Sequence, residues 1–370
     1  ELGFQPKAVL FFTVGSNTET AAVNYRYGQG MATSSTSMCA MSGEATDNAT
    51  SGGKDSKSRQ NGAVCIQVTT APSVGVTVIS EAVLKTMDAD GFTVTWSVVS
   101  SFSIFIYYWA LGGTDLTGAS IVEFVGNGGA GTVAYTGAGF QPEGMVIMSA
   151  ALGNDPVSST GYTTQGLGFA AGTGTNQVAF CVGSDNDDVS TFHAVQTSKV
   201  IQVIDVNLET VFTSATLDSF DADGFTLTYT AGTTQNRFWA LCLNGGSYKV
   251  GEILQKTSTG VQATTGIGFI PSGVLFGSCR DTSDSAFEIE SSLSVGAVSS
   301  GGQWALWAGD VNDAEPSHAD RIGISGSCIR MMVPGNPTTP TTVANDAFNG
   351  FDSDGWRLDC TVTDGNAYTI

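Results

Sequence analysis

The sequence predicts an all-β chain built from three tandem homologous antiparallel β-sandwiches, jelly-roll-like in form, on three observations. Three short motifs recur in one order at a spacing of roughly 130 residues. Apolar and polar residues alternate along the segments that join them. The composition, with 47 Gly and 20 Phe among 370 residues and only 13% charged side chains, is that of short strands and tight polar turns rather than of helices.

The first motif is Gly-Phe-x-Pro before an apolar run, at Gly3-Phe4-Gln5-Pro6, Gly139-Phe140-Gln141-Pro142 and Gly268-Phe269-Ile270-Pro271. The second is a short apolar run: Cys65-Ile66-Gln67-Val68, Val200-Ile201-Gln202-Val203 and Cys328-Ile329-Arg330-Met331. The third is Asp-x-Asp-Gly-aromatic, from Asp88 to Phe92, Asp221 to Phe225 and Asp352 to Trp356. A period this long exceeds that of solenoid repeats, whose units cannot bury a core alone, so each copy is expected to be a domain.

Within a copy, Phe92, Val94 and Trp96 alternate with Thr93 and Thr95, as Phe225, Leu227 and Tyr229 do with Thr226 and Thr228. The Asp-x-Asp-Gly before each of these strands supplies a turn whose Gly is free to take positive φ. The strand that follows carries Trp109-Ala110-Leu111 and Trp239-Ala240-Leu241, with the weaker Ala367 to Ile370 as its third version. A leading pair, Ile121 to Val125 with Thr132 to Thr136, matches Val250 to Leu254 with Gln262 to Thr265 and precedes the next Gly-Phe-x-Pro. The repeats then span 114–246 and 247–370, and the first, 1–113, lacks its leading pair. Either residues upstream of Glu1 supply that pair, which is the expectation, or another chain adds strands to the exposed edge.

A formal charge of −20, from 34 acidic and 14 basic side chains, leaves no source for the phosphate contacts that drive nucleic-acid binding. No apolar run reaches the ~20 residues of a membrane-spanning helix, so membrane insertion is not expected. The two histidines, His193 and His318, lie in different copies and cannot form a repeated metal site or triad; they read as surface residues. Seven cysteines with no Cys-x-x-Cys read as buried thiols, with a Cys39–Cys65 disulfide as the competing reading.

Asp88, Asp90, Asp221, Asp223, Asp352 and Asp354 are the candidate metal ligands, because paired carboxylates beside a Gly turn resemble half of a Ca²⁺ loop. The rest of that loop pattern is missing: its last ligand position would fall on Ser97, Thr230 and Thr361. A structural hairpin is the favoured reading, and Ca²⁺ the only cofactor considered. The acidic stretches Asp185 to Asp188 and Asp310 to Asp313 read as solvated loops. Tyr25, Tyr27, Tyr107 and Tyr108 read as core rather than as sugar-stacking platforms. No catalytic residue is assigned, and the chain is not expected to be an enzyme.

The Gly-Phe-x-Pro-x-x-Val stretches (Gly3 to Val9, Gly139 to Val146, Gly268 to Val274), together with the three Asp-x-Asp-Gly-aromatic turns, resemble the β-sandwich repeat modules of tailed-bacteriophage virion proteins. That resemblance implies a non-enzymatic virion component, such as a capsid decoration, head fibre or tail part. Its partners would be other virion proteins or copies of itself, and its location the virion or the extracellular space. The alternative is a secreted carbohydrate-binding adhesin or glycan-processing module that meets a host-surface glycan. A calcium-dependent cell-surface stalk is a third reading.

Overall fold

The computed structural model describes all residues except 47–56, 72–74, 102, 153–156, 161, 173–175, 186–189, 206–208, 233–235, 313–317 and 336–338. All named elements among the described residues are β-strands, and every pairing is antiparallel. The first repeat contains β1 (Pro6–Thr13), β2 (Ala22–Val23), β3 (Tyr25–Ser34), β4 (Ser37–Ala45), β5 (Lys57–Asn61), β6 (Cys65–Ala71), β7 (Gly75–Asp88), β8 (Gly91–Val98) and β9 (Tyr107–Gly112). The second contains β10 (Gly118–Val125), β11 (Gly131–Thr136), β12 (Gly144–Ser149), β13 (Val157–Thr160), β14 (Tyr162–Ala171), β15 (Gln177–Asp185), β16 (Thr191–Gln196), β17 (Ile201–Asp205), β18 (Thr210–Asp221), β19 (Gly224–Gly232) and β20 (Arg237–Asn244). The third contains β21 (Gly260–Thr265), β22 (Gly273–Ser278), β23 (Ser285–Ile289), β24 (Ser291–Ser299), β25 (Gly302–Asp310), β26 (Ala319–Ser325), β27 (Ile329–Val333), β28 (Thr341–Asp352) and β29 (Gly355–Thr363).

Each repeat pairs one large sheet with one small one. The large sheets hold β1-β3-β4-β5, β12-β14-β15-β16 and β22-β24-β25-β26; the small ones hold β6-β7-β8, β17-β18-β19 and β27-β28-β29. Strands therefore run as two meanders, one per sheet, instead of the alternation between sheets that makes a jelly roll. In the first two units the last strand returns beside the first strand of the large sheet, as β9 on β1 and β20 on β12.

The sheets of each unit enclose a core of their own. In the second unit it includes Phe225, Leu227, Tyr229, Phe238 and Ala240, and in the third Cys328, Met331 and Leu358. Close approach of the sheets needs glycine at one point. A Cβ on Gly168 would stand 1.9 Å from the Val200 carbonyl oxygen, one on Gly296 2.0 Å from that of Cys328, and one on Gly30 2.3 Å from that of Val64. These three residues occupy one topological position, where the backbone entering the small sheet crosses the middle of the large sheet.

The largest apolar cluster belongs to no single unit. It joins Leu10, Phe12, Tyr25, Tyr27 and Met31 from the first, Val146, Met148, Leu167, Phe180 and Trp239 from the second, and Leu293, Val295, Trp304 and Leu306 from the third. The large sheets are thus buried on both faces, one against the small sheet of the same unit and the other against the neighbouring units. Besides the core that each unit encloses, the three units therefore share one, which three independent domains would not, and strands with two buried faces carry continuous apolar runs such as Ala8 to Phe12.

The seven cysteines are free and buried. Cys39 faces the shared core and Cys65 the core of the first unit, on opposite sides of one sheet, so the disulfide reading falls. Burial pushes the Cys65 thiol up to about 12.

Candidate assembly surfaces

Each unit lends a short strand to the edge of another. Between the first two strands of its large sheet, the second unit sends β13 to pair with β5 of the first, Val157 opposite Gln60. In the same place the third unit sends β23 to β16 of the second, Phe192 opposite Ile289. The first unit sends β2 to β26 of the third, Ala22 opposite Arg321 and Val23 opposite Asp320. The three exchanges close a ring with pseudo-threefold symmetry, and they cover the outer edge of every large sheet on that side.

Polar groups stitch these junctions. Ser184 Oγ of the second unit donates to Asp310 Oδ2 of the third at 3.0 Å, and Asn312 Oδ1 accepts from the Thr191 amide at 2.8 Å. Arg321 donates to the carbonyls of Val23 and Asn24, the latter at 2.7 Å, and burial lowers its guanidinium to about 10. His193 is 3% exposed, bonded through Nε2 to Asp281 Oδ1 at 2.9 Å and through Nδ1 to the Glu290 carbonyl. The surface reading of His193 is therefore wrong: its strand looks like an edge in the sequence, but the third unit covers it. His318 is half-buried and its carbonyl accepts from the Val311 amide at 3.0 Å. Asp310 is likewise buried rather than part of a solvated loop, whereas residues 186–188 and 313 lie outside the described residues.

The six candidate metal ligands sit in the three hairpin turns, and each turn holds the Gly-Phe-x-Pro motif of its own unit. Asp90 Oδ1 accepts from the Gly3 amide, Asp223 Oδ1 from the Gly139 amide at 2.6 Å, and Asp354 Oδ1 and Oδ2 from the Gly268 and Gly266 amides at 2.5 and 2.9 Å. The first Asp of each turn fixes the following strand. Asp88 Oδ2 and Asp221 Oδ2 accept from Thr93 and Thr226 hydroxyls at 2.6 Å each, while Asp352 pairs with Arg357 at 3.0 Å. Gln5 and Gln141 add side-chain donors to the Met87 and Phe220 carbonyls at 2.9 and 2.8 Å. Two motifs more than 80 residues apart are thereby one latch. Among the described residues no three His, Cys, Asp or Glu side chains gather as a metal-binding group.

The Thr93 hydrogen bond lowers the Asp88 carboxyl and the two glycine amides lower that of Asp354 below the usual carboxylate range. Both latches are complete above the ordinary carboxylate pKa and weaken as pH falls through the lowered value. Asp354→Ala is expected to reduce the thermal melting temperature by a few degrees at pH 7, with the deficit shrinking in strong acid, where the parent latch is protonated as well.

Asp346 behaves in the opposite sense. It is 1% exposed, accepts from Gln255 Nε2 at 3.2 Å, and stands where the other units carry Ala82 and Ala215. Burial raises its carboxyl to about 6. The unfolded chain ionises this group near pH 4 and the folded chain only near pH 6, so stability falls as pH rises across that window, by up to about 3 kcal/mol. Asp346→Ala is expected to melt higher than the parent at pH 8 and to lose that advantage at pH 4, as parallel thermal melts would show.

The units differ along one lateral edge. In the second unit β10 pairs with β20 and β11 with β19, so the leading pair divides between the two sheets and closes the side of the sandwich. In the first unit β8 and β9 end their sheets among the described residues. Trp96 is 39% exposed where its counterpart Tyr229 is 1% exposed and bonded to Tyr135 of β11. Phe105 and Tyr108 are 44% and 42% exposed. A Cβ on Gly224 would meet the Tyr135 carbonyl at 2.0 Å, whereas one on the matching Gly91 meets nothing within 4 Å. Tyr25 and Tyr27 are core, as expected; Tyr108 belongs to this exposed edge.

The geometry defines a class: an all-β protein of three sandwich units closed into a ring by exchanged strands. In comparisons with known proteins, no family model, no curated protein and no solved structure matches the chain.

Proposed function

We propose that the protein is a non-enzymatic structural component of a virion, located on the particle or outside the cell, that works through surface contacts with other virion proteins or with copies of itself. The observation that carries this reading is the ring closed by the three exchanged strands. Trp96, Phe105 and Tyr108 are exposed on its surface. Exposed apolar side chains that cluster on a surface mark contacts with a partner. The recurring carboxylates serve the latches, and the ring gives one polypeptide the outline of a trimer, a shape suited to a lattice contact.

Trp96→Glu changes an exposed side chain and leaves the cores untouched. It is expected to reduce co-sedimentation with purified particles of the encoding virus about tenfold or more, with the melting temperature within a few degrees of the parent. Undiminished particle binding, or saturable binding to a glycan array in place of particles, would overturn the reading.

A further inference from the structure

His193 ties together the two ends of the strand that the third unit lends to the second. Its Nε2 lies 2.9 Å from Asp281 Oδ1, four residues before β23, and its Nδ1 meets the carbonyl of Glu290, the residue after that strand. The side chains of His193 and Asp281 are 4% and 11% exposed, so the contacts are made away from bulk water. The ring stands between two acceptors. The Glu290 carbonyl can only accept, and Asp281 Oδ2 already accepts from the Ser285 hydroxyl at 2.6 Å. A neutral imidazole offers one donor and one lone pair, which leaves one of its two contacts without a proton. The backbone on both flanks of β23 is held as well. Arg280 and Glu290 take left-handed φ of 67° and 75°, a conformation that is costly for residues other than glycine and persists where surrounding contacts impose it.

We infer that the junction of the second and third units is a proton-dependent latch: one proton held between His193 Nε2 and Asp281 Oδ1 keeps β23 on β16, and its loss opens that side of the ring. Whichever of the two atoms carries it, the closed pair holds one proton more than a neutral imidazole and a carboxylate do. Closure is therefore favoured at low pH and weakens as pH rises, since the closed form binds a proton that the open form gives up. The other ionisable groups around the ring leave this balance to the pair. On the third unit, the Arg280 guanidinium donates to the Glu290 carboxylate, and Asp284 accepts from the amide and hydroxyl of Thr197. Glu288, opposite His193 in the ladder, is exposed, and on the other side His193 faces Val182 of β15. Asp310 of β25 accepts from Ser184 Oγ at 3.0 Å. Burial raises the Cys279 thiol, which lies beside the Ala194 carbonyl, well above its ordinary value, and raises Cys181 and Tyr25 likewise, so all three stay neutral. The latch works within one molecule, whatever that molecule binds, and so stands apart from the virion reading.

The test is amide exchange of the full chain, corrected for intrinsic rates and followed along β23 between about pH 5 and about pH 8, the range in which histidine changes charge. Protection of β23 is expected to fall about tenfold or more across that range, the worth of one hydrogen bond to a charged group. The exchanged strand β13, at the junction of the first and second units, should not follow it. Asp281→Asn separates the proton from the contact. Its amide donates from Nδ2 to a neutral Nε2 while its oxygen accepts from Ser285, so β23 should stay protected with no dependence on pH, and a thermal melt within a few degrees of the parent verifies the fold. The parent profile and its comparison with β13 decide the matter without the variant. Protection of β23 in the parent that stays level or rises with pH, a fall shared equally by β13, or the same fall in a folded Asp281→Asn protein would each overturn the inference.

Discussion

Gly168→Ala is expected to cost about 3 kcal/mol or more, and to leave little folded protein at 37 °C, because its one added carbon points at backbone rather than at a side chain able to move. The Cβ would lie 1.9 Å from the Val200 carbonyl oxygen and 3.0 Å from its carbonyl carbon. Relief requires separating the two sheets of the second unit, and that separation exposes Phe225, Leu227 and Phe238 at once. Gly296→Ala should behave alike, since its Cβ would meet Cys328 oxygen at 2.0 Å. Gly62→Ala is the control, with nothing within 4 Å of the added carbon. Denaturant melts of the three variants check the expectation, and a Gly168→Ala protein within ~1 kcal/mol of the parent would contradict the crossing described here.

Leu306→Ala is expected to cost about 2 to 5 kcal/mol, the range for a buried leucine whose cavity does not collapse. The informative part is where the loss is felt. Leu306 is fully buried in the cluster that also holds Leu10, Phe12, Met148 and Trp239, so a cavity in the third unit loosens the contacts of all three. Calorimetry should record one cooperative endotherm that moves as a whole. A separate low-temperature transition for the third unit, with the rest unmoved, would indicate independently cored domains instead.

Much of the fold is legible in the residues because local signals and the global pattern coincide. The alternation in Phe92 to Trp96 and Phe225 to Tyr229 corresponds to β8 and β19, and the leading pair falls on β10 and β11. The recurrence of Gly-Phe-x-Pro with Asp-x-Asp-Gly is explained by a hydrogen bond between them, a link that a one-dimensional reading lists as two motifs. What stays hidden is the ring. Its exchanged strands, Val157–Thr160, Ser285–Ile289 and Ala22–Val23, are short and share no pattern, because backbone pairing rather than side-chain packing holds them. The two-sided burial of β12 leaves a run, Gly-Met-Val-Ile-Met, that does not reveal which face meets which sheet. His193 and Asp310 look like surface polar residues for the same reason: their covering comes from another unit.

Ring closure rests on contact between the first and third units, and an engineered cross-link tests it. Val23 and Asp320 are directly opposed across β2 and β26, and antiparallel partners place their Cα atoms roughly 4.5 to 5.5 Å apart, within the range a disulfide spans. With Val23→Cys and Asp320→Cys in one chain, mild oxidation of the folded monomer should give an intramolecular disulfide that joins the first and third units, found as a single cross-linked peptide by mass spectrometry, while the seven buried native thiols stay unreacted. Free thiols at both positions in the folded monomer, or disulfides only between molecules, would contradict the ring and return the molecule to a linear string of sandwiches.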